Sequence, residues 1–286
     1  MQTIASSVHT SPRPTDAREL YLDLMKRTLS RTVTAQARER HTIKARHPLK
    51  RLALGLAHGV LDPLGLELVR VIQPSVEDYM ESGHEAHNRG EGAETMIGIR
   101  QLDNMQACIQ EVVARGVPGD VLEAGVWRGG MTIFMRAVLK AHGQEGRRVW
   151  VADSFEGLPD ESRLESFGWR GGDMAVSLDI VRANFARYGL LDDGVEFLKG
   201  FFSATLPTAP IKALSVLRVD ADLYSSTRDV LQHLYPKLSP GGYAIFDDYL
   251  NLHDCRRAID EYRAQNGIVD EVFPIDRRAV YWQKTR

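Results

Sequence analysis

The chain has 286 residues, room for one large domain or two small ones, and its 43% hydrophobic and 26% charged content is ordinary for a globular protein. A formal net charge of -2 gives no reason to expect nucleic acid or an anionic membrane surface as a partner. The only cysteines, Cys108 and Cys255, lie far apart, which argues against a disulfide framework or a CxxC zinc site and for a reducing cytoplasm; no run of about 18 apolar residues is present to span a bilayer.

Residues 1–16 lack an apolar core of signal-peptide length and read as a disordered lead. Residues 17–116 read as a helical N-terminal or lid region. Within it, Arg18–Leu29 puts Leu20, Tyr21, Leu24, Met25, Thr28 and Leu29 on one helical face. Basic residues from Lys26 to Arg51 face a single acid, Glu39, either as an arm for an anionic partner or as a solvated surface. Leu52–Ile72 is apolar but broken by glycines and a proline, and Gly83–Gly98 is loop-like before a helix over Ile99–Ala114. The apolar surface of these helices is expected to cross the interface of a homo-oligomer, a dimer or higher.

From about residue 117 to 286, strands and helices alternate. Strands are expected over Asp120–Ala124, Arg148–Asp153, Val195–Lys199, Val216–Val219 and Tyr243–Phe246. Helices are expected over Met131–Ala141, Leu178–Tyr188, Thr227–Tyr235 and Cys255–Asn266, with a turn at Pro240-Gly241-Gly242. Val269–Pro274 and Ala279–Trp282 read as a closing hairpin. This alternation predicts a doubly wound, mostly parallel α/β sheet with a helical N-terminal addition.

The strand at 216–219 ends on Asp220 and Asp222, and the next parallel strand ends on Asp247-Asp248. Right-handed crossovers bring both carboxyl ends to one edge, where open α/β sheets bind ligands. Four carboxylates there would repel one another, so a cation, a shared proton or an arginine is expected among them.

The first strand-to-helix turn is Gly125-Val126-Trp127-Arg128-Gly129-Gly130, a poor match to the GxGxxG of dinucleotide folds. Asp153 ends the next strand, placed for ribose hydroxyls, with Ser154 beside it, and Glu123 precedes the turn. Those acids suit a positively charged adenosyl ligand, S-adenosylmethionine, better than an anionic dinucleotide. Gly200-Phe201, after the third strand, would border the adenine.

Several segments together carry a resemblance: ETMIG at 94–98, LDN at 102–104, VLEAGVWRGG at 121–130, VWVADSFEGLP at 149–159, VDADLYSST at 219–227 and GGYAIFDDY at 241–249. With YLDLMKR at 21–27, the chain resembles, over residues 17–286, the TylF/MycF family of macrocin- and mycinamicin-type sugar O-methyltransferases, which includes the novobiocin noviose O-methyltransferase. The resemblance implies a class I S-adenosylmethionine-dependent methyltransferase fold, S-adenosylmethionine as donor, a magnesium ion, and a deoxysugar hydroxyl on a glycosylated natural product as acceptor. By the same resemblance the metal ligands fall on Asp220, Asp247 and Asp248, the base on Asp222, and Thr95 and Met96 in a segment that folds over the donor. The chain departs from it at Ala221, where relatives often carry Gly, and in the stretch around 31–75.

The chemistry agrees: a sugar hydroxyl is a very weak acid, so methyl transfer to it is helped by a metal that lowers its pKa and by a carboxylate that takes the proton. A catechol or other diol would chelate the same metal, and a nucleoside-binding protein without catalysis is the reading from another class. His253 is a candidate for proton transfer or a solvated loop histidine; Phe167 and Trp169 wall the acceptor or simply pack. Ser225 and Ser226 lack the GxSxG elbow of a serine hydrolase.

Overall fold

The computed structural model describes residues 16–31, 37–40, 48–65, 69–72, 80, 93–159, 163–164 and 169–286. Phe167, residues 1–15 of the expected lead and the loop up to residue 92 lie outside them. In chain order the elements begin with α1 (Ala17–Leu29), β1 (Ala37–Arg40), α2 (Pro48–Leu61) and β2 (Val69–Ile72), followed by α3 (Ile99–Ala114), β3 (Asp120–Ala124), α4 (Gly130–Ala141) and β4 (Val149–Asp153). Next come β5 (Arg163–Leu164), β6 (Trp169–Arg170), α5 (Leu178–Arg187), β7 (Val195–Lys199), α6 (Phe202–Thr205) and β8 (Leu214–Val219). The chain closes with α7 (Tyr224–Leu234), β9 (Leu238–Phe246), α8 (His253–Gln265), β10 (Phe273–Pro274) and β11 (Val280–Gln283).

Seven strands form the main sheet in the order β10-β11-β9-β8-β3-β4-β7. Strands β9, β8, β3, β4 and β7 run parallel, and β11 returns antiparallel to β9. A parallel sheet is covered on both faces, so its strands are apolar throughout; every residue of β8 is buried. Alternation along β3 sends Val121 to the core shared with α1, α3 and α4, and Leu122 and Ala124 to the core shared with α7 and α8. The chain leaves β3 first toward β4 and β7, then returns to place β8 on the other side of β3. The crevice between the carboxyl ends of β3 and β8 is therefore the topological switch point.

The helical addition is tied to this body. Asp16 caps α1 by accepting from the Glu19 amide, and Leu22, Met25 and Leu29 join the core beside Leu102, Met105 and Ile109 of α3. Glu19 accepts from Gln106 Nε2 at 2.8 Å and Gln110 Nε2 at 3.1 Å.

Pro240-Gly241-Gly242 is not a turn but part of β9. The ladder to β8 shifts register there, between Leu214 and Val216, and on the other side Gly241 N and Gly242 O pair with Lys284. A partner strand supplied from the far end of the chain overrides the local turn signal. The short pairs β1–β2 and β5–β6 were not expected from the sequence either. Among the described residues no helix is long and apolar enough to cross a membrane.

Candidate active site

At the carboxyl ends of β3, β4, β7 and β8 lies a cavity of about 450 Å³. The first turn forms its floor. Gly125 has φ +86°, and a Cβ there would stand 1.8 Å from the Asp220 carbonyl oxygen, so the turn crosses β8 where no other residue fits. Gly129, also at positive φ, is the N-cap of α4. The Gly130 amide donates to the carbonyl of Glu94 at 2.8 Å, which docks residues 94–96 over the helix start. Met96 lines the cavity; Thr95 lies buried behind it, its hydroxyl accepting from the Ile97 amide at 3.3 Å. Glu94 anchors this segment: its buried carboxylate accepts from Tyr188 Oη at 2.8 Å and pairs with Arg187 and Arg31.

Asp153, at the end of β4, faces the cavity and accepts from the amides of Val126 (2.8 Å) and Phe155 (2.7 Å). Burial raises its pKa although these amides oppose the rise. Ser154 also lines the cavity and donates to the Gly157 carbonyl. Phe201 faces the cavity too. Gly200 does not; its amide donates to the Asp153 carbonyl and its positive φ turns the chain out of β7.

Asp220 and Asp222 line the other wall, and ligand atoms of Asp220, Asp222 and Asp248 lie within 4.8 Å of one another. Burial and the neighbouring carboxylates push Asp220 and Asp222 well above the usual carboxylate range, and raise Asp248 for the same reasons. Asp222 sits at φ +55°, with the Leu223 amide donating back to the Ala221 carbonyl across it. A non-glycine residue in such a tight turn is strained, and that strain aims its carboxylate at the group.

The arginine that the crowded acids called for is Arg218, 1% exposed, on the same strand two residues before Asp220. It donates to Glu123 (2.7 Å), Asp220 (2.9 Å), Gln101 (2.9 Å) and Asp247 (2.7 Å). Its charge explains the placement of two of the expected site residues. Glu123 turns to the α3 face of the sheet, pairs with Arg218 and does not line the cavity. Asp247 gives one oxygen to Arg218 and the other to Arg278, which keep its carboxyl below the usual range despite burial. His253, 87% exposed, heads α8 next to Asp254 and is not at the cavity. Trp169 packs against the core under α7.

Sequence reasoning passed over Arg218, Gln101 and Arg278. The first had a signal, a lone charge inside an apolar strand at period two from Asp220; the other two are carried by α3 and the β10–β11 turn. It also passed over Trp127 and Met174, which line the cavity, and weighed Ser225 and Ser226, which line it too, only as hydrolase nucleophiles.

A parallel sheet with this strand order, its crevice at β3/β8 and an acid ending β4, defines the class I methyltransferase fold. A model of the macrocin O-methyltransferase (TylF) family matches residues 18–284. The chain belongs to that family and is an O-methyltransferase. It is 46% identical over 280 residues, 94% of each chain, to the 8-demethyl-8-(2,3-dimethoxy-alpha-L-rhamnosyl)-tetracenomycin-C 4'-O-methyltransferase of Streptomyces olivaceus. It is 50% identical to the demethyldecarbamoylnovobiocin O-methyltransferase of Streptomyces niveus, over 73% of this chain and 84% of that one. Identity to the mycinamicin III 3''-O-methyltransferase of Micromonospora griseorubida is 44%, over 95% and 99%. Among solved structures, the O-methyltransferase NovP superposes with a TM-score of 0.78 at 42% identity, covering 94% of this chain and all of that one.

Proposed function

We propose that the protein transfers the methyl group of S-adenosylmethionine to a hydroxyl of a deoxysugar carried by a glycosylated natural product, with a magnesium ion at the acidic group. The observation that carries the reading is one cavity bordered by both Asp153 and the Asp220–Asp222 pair. The named substrates of the three relatives, a rhamnosyl tetracenomycin, a novobiocin precursor and mycinamicin III, support the acceptor class.

The donor set fits a hard divalent cation. Three carboxylates converge, and Asp248 Oδ2 is buried with no hydrogen-bond partner, an atom left for a ligand. Asp220 and Asp248 would hold the ion, which when bound supplies a Lewis acid that acidifies the acceptor hydroxyl. Asp247, which the family pattern also assigns to the metal, stands beside them with both oxygens on guanidinium groups.

The chain's own residues divide the remaining work. Asp153 accepts from the donor's ribose hydroxyls, and the glycine turn lets the backbone approach the donor. Met96, held down by Glu94, and Phe201 exclude water from the reacting centre. Asp222 takes the acceptor proton: it lines the cavity beside Asp220 and Asp248, within reach of a hydroxyl held there. Exposed Leu20 and Leu24 on α1, with Leu52 and Leu56 on α2, support an oligomeric assembly, and the free thiols of Cys108 and Cys255 support the cytoplasm.

The test is methylation of desmethyl sugar antibiotics, with chelator and then with magnesium restored. Turnover should stop with EDTA and return with magnesium. Full activity after thorough chelation would refute the metal, and faster methylation of a simple catechol would refute the sugar.

A further inference from the structure

The buried guanidinium of Arg218 does not itself line the cavity, yet it binds two of the four acids at the sheet edge. Its Nη1 is shared between Glu123 Oε1 and Asp220 Oδ2, and its Nη2 between Gln101 Oε1 and Asp247 Oδ1. Gln101 in turn donates to Asp276 at 3.1 Å, and Asp276 holds the amides of Arg278 and Ala279 at 2.9 and 2.8 Å. Arg278 closes the circuit by donating to Asp247 Oδ2 (2.8 Å) and Asp248 Oδ1 (3.2 Å). α3, β3, β8, β9 and the turn between β10 and β11 are thereby wired into one buried ring behind the acidic group.

We propose that Arg218 is a positioning residue for cation capture: through this ring it fixes the directions in which Asp220, Asp247 and Asp248 present their remaining lone pairs to the metal. The proposal rests on the magnesium reading above. Arg218 engages Oδ2 of Asp220 and Oδ1 of Asp247, and Arg278 engages Oδ2 of Asp247 and Oδ1 of Asp248, so each acid keeps lone pairs for an ion in directions the guanidinium groups set. Five carboxylates (Glu123, Asp220, Asp222, Asp247 and Asp248) meet two arginines, so the acids outnumber the cations beside them. A guanidinium fork fixes the directions of its acceptors, whereas an ammonium is a point charge that does not. Without the fork the acids spread apart under their own repulsion, and the ion must reassemble them on binding.

Arg218→Lys keeps the charge and removes the fork, so it isolates positioning from electrostatics. The experiment is calorimetric titration of magnesium chloride into the full chain, alongside S-adenosylmethionine titration and kcat at rising magnesium. Arg218→Lys should bind magnesium roughly 10–100-fold more weakly, the usual effect of losing a group that orients metal ligands. Its donor affinity should stay within about twofold, because Asp153 and the first turn lie outside the ring, and excess magnesium should restore kcat. Gln101→Met, which removes one acceptor of the guanidinium and no charge, should weaken magnesium binding in the same direction, and it decides the matter if Arg218→Lys does not fold. Magnesium affinity unchanged in the folded variant, or a fall in donor affinity matching that for magnesium, overturns the proposal. No magnesium binding by the wild type overturns the metal reading, and the proposal with it.

Discussion

Gly125 and Asp220 meet across the switch point: an added Cβ on the glycine would lie 1.8 Å from the Asp220 carbonyl oxygen and 2.8 Å from its carbonyl carbon. The turn that serves the donor and the backbone of the strand that carries the acids are thus in direct contact. Gly125→Ala combines a backbone clash with a side chain at φ +86°, so it should cost about 2–4 kcal/mol and abolish donor binding. Gly143→Ala is the control. It has a similar φ of +63° but nothing within 4 Å of the new Cβ, and should cost only about 1 kcal/mol. Thermal melts and donor calorimetry on the two variants make the comparison; equal effects would dissolve the argument from contact.

Asp153 is expected to govern donor affinity. Asp153→Ala should weaken S-adenosylmethionine binding by roughly 1.5–3 kcal/mol, the scale of a hydrogen bond to a charged group. The amides of Val126 and Phe155 lose their acceptor at the same time, so a small fall in melting temperature should accompany it. Unchanged donor affinity by calorimetry would take Asp153 out of the site.

The two acids of Asp220-Ala221-Asp222 should separate by their response to metal. Asp220→Asn should raise the magnesium requirement, and excess metal should recover part of the activity. Asp222→Asn should lower kcat by roughly 10²–10⁴, the usual share of a general base, with magnesium affinity nearly intact. Higher pH should help the second variant and excess metal should not. Asparagine is nearly isosteric with aspartate, so the turn at φ +55° carries the same strain in the variant, and a thermal melt separates loss of activity from loss of fold. Rescue of Asp222→Asn by magnesium would make Asp222 a ligand.

Stability should depend on pH through Glu123. Burial raises its carboxyl to about 7, with Arg218 opposing. The folded chain therefore holds this proton more tightly than the unfolded one, whose glutamates titrate near 4.3. Glu123 is without penalty below about pH 4, and between there and about pH 7 it makes stability fall as pH rises. Glu123→Gln keeps an acceptor for Arg218 and cannot titrate, so the melting temperature of the wild type should fall relative to the variant across this window. Melts are compared in EDTA, since a bound cation would shift the neighbouring acids. A constant difference between the two from pH 5 to 8 would contradict the assignment.

The parts of the fold that repeat on a local period were legible in the residues. The bounds of β3, β7 and α3 follow from an apolar strand run or a helical face closed by glycine or an acid, and each of those signals lies within the element. The acids at the strand ends and the first turn were legible for the same reason, since a parallel sheet sends every strand end to one edge. What each acid touches was not. Glu123 and Asp153 are both strand carboxylates near the turn, yet one faces Arg218 beneath the sheet and the other faces the cavity. Asp247 and Asp248 are adjacent, yet one is bound by two arginines and the other keeps a free oxygen. His253 follows them closely and points to solvent. These outcomes depend on partners brought from afar, with Gln101 lying 117 residues from Arg218 and Arg278 lying 31 from Asp247. Strand and helix propensity act over a few residues, whereas the balance of buried charge is struck only when the sheet has closed. The sequence alone determined that the acids would share an edge, and only the tertiary structure decided which of them are left free for a ligand.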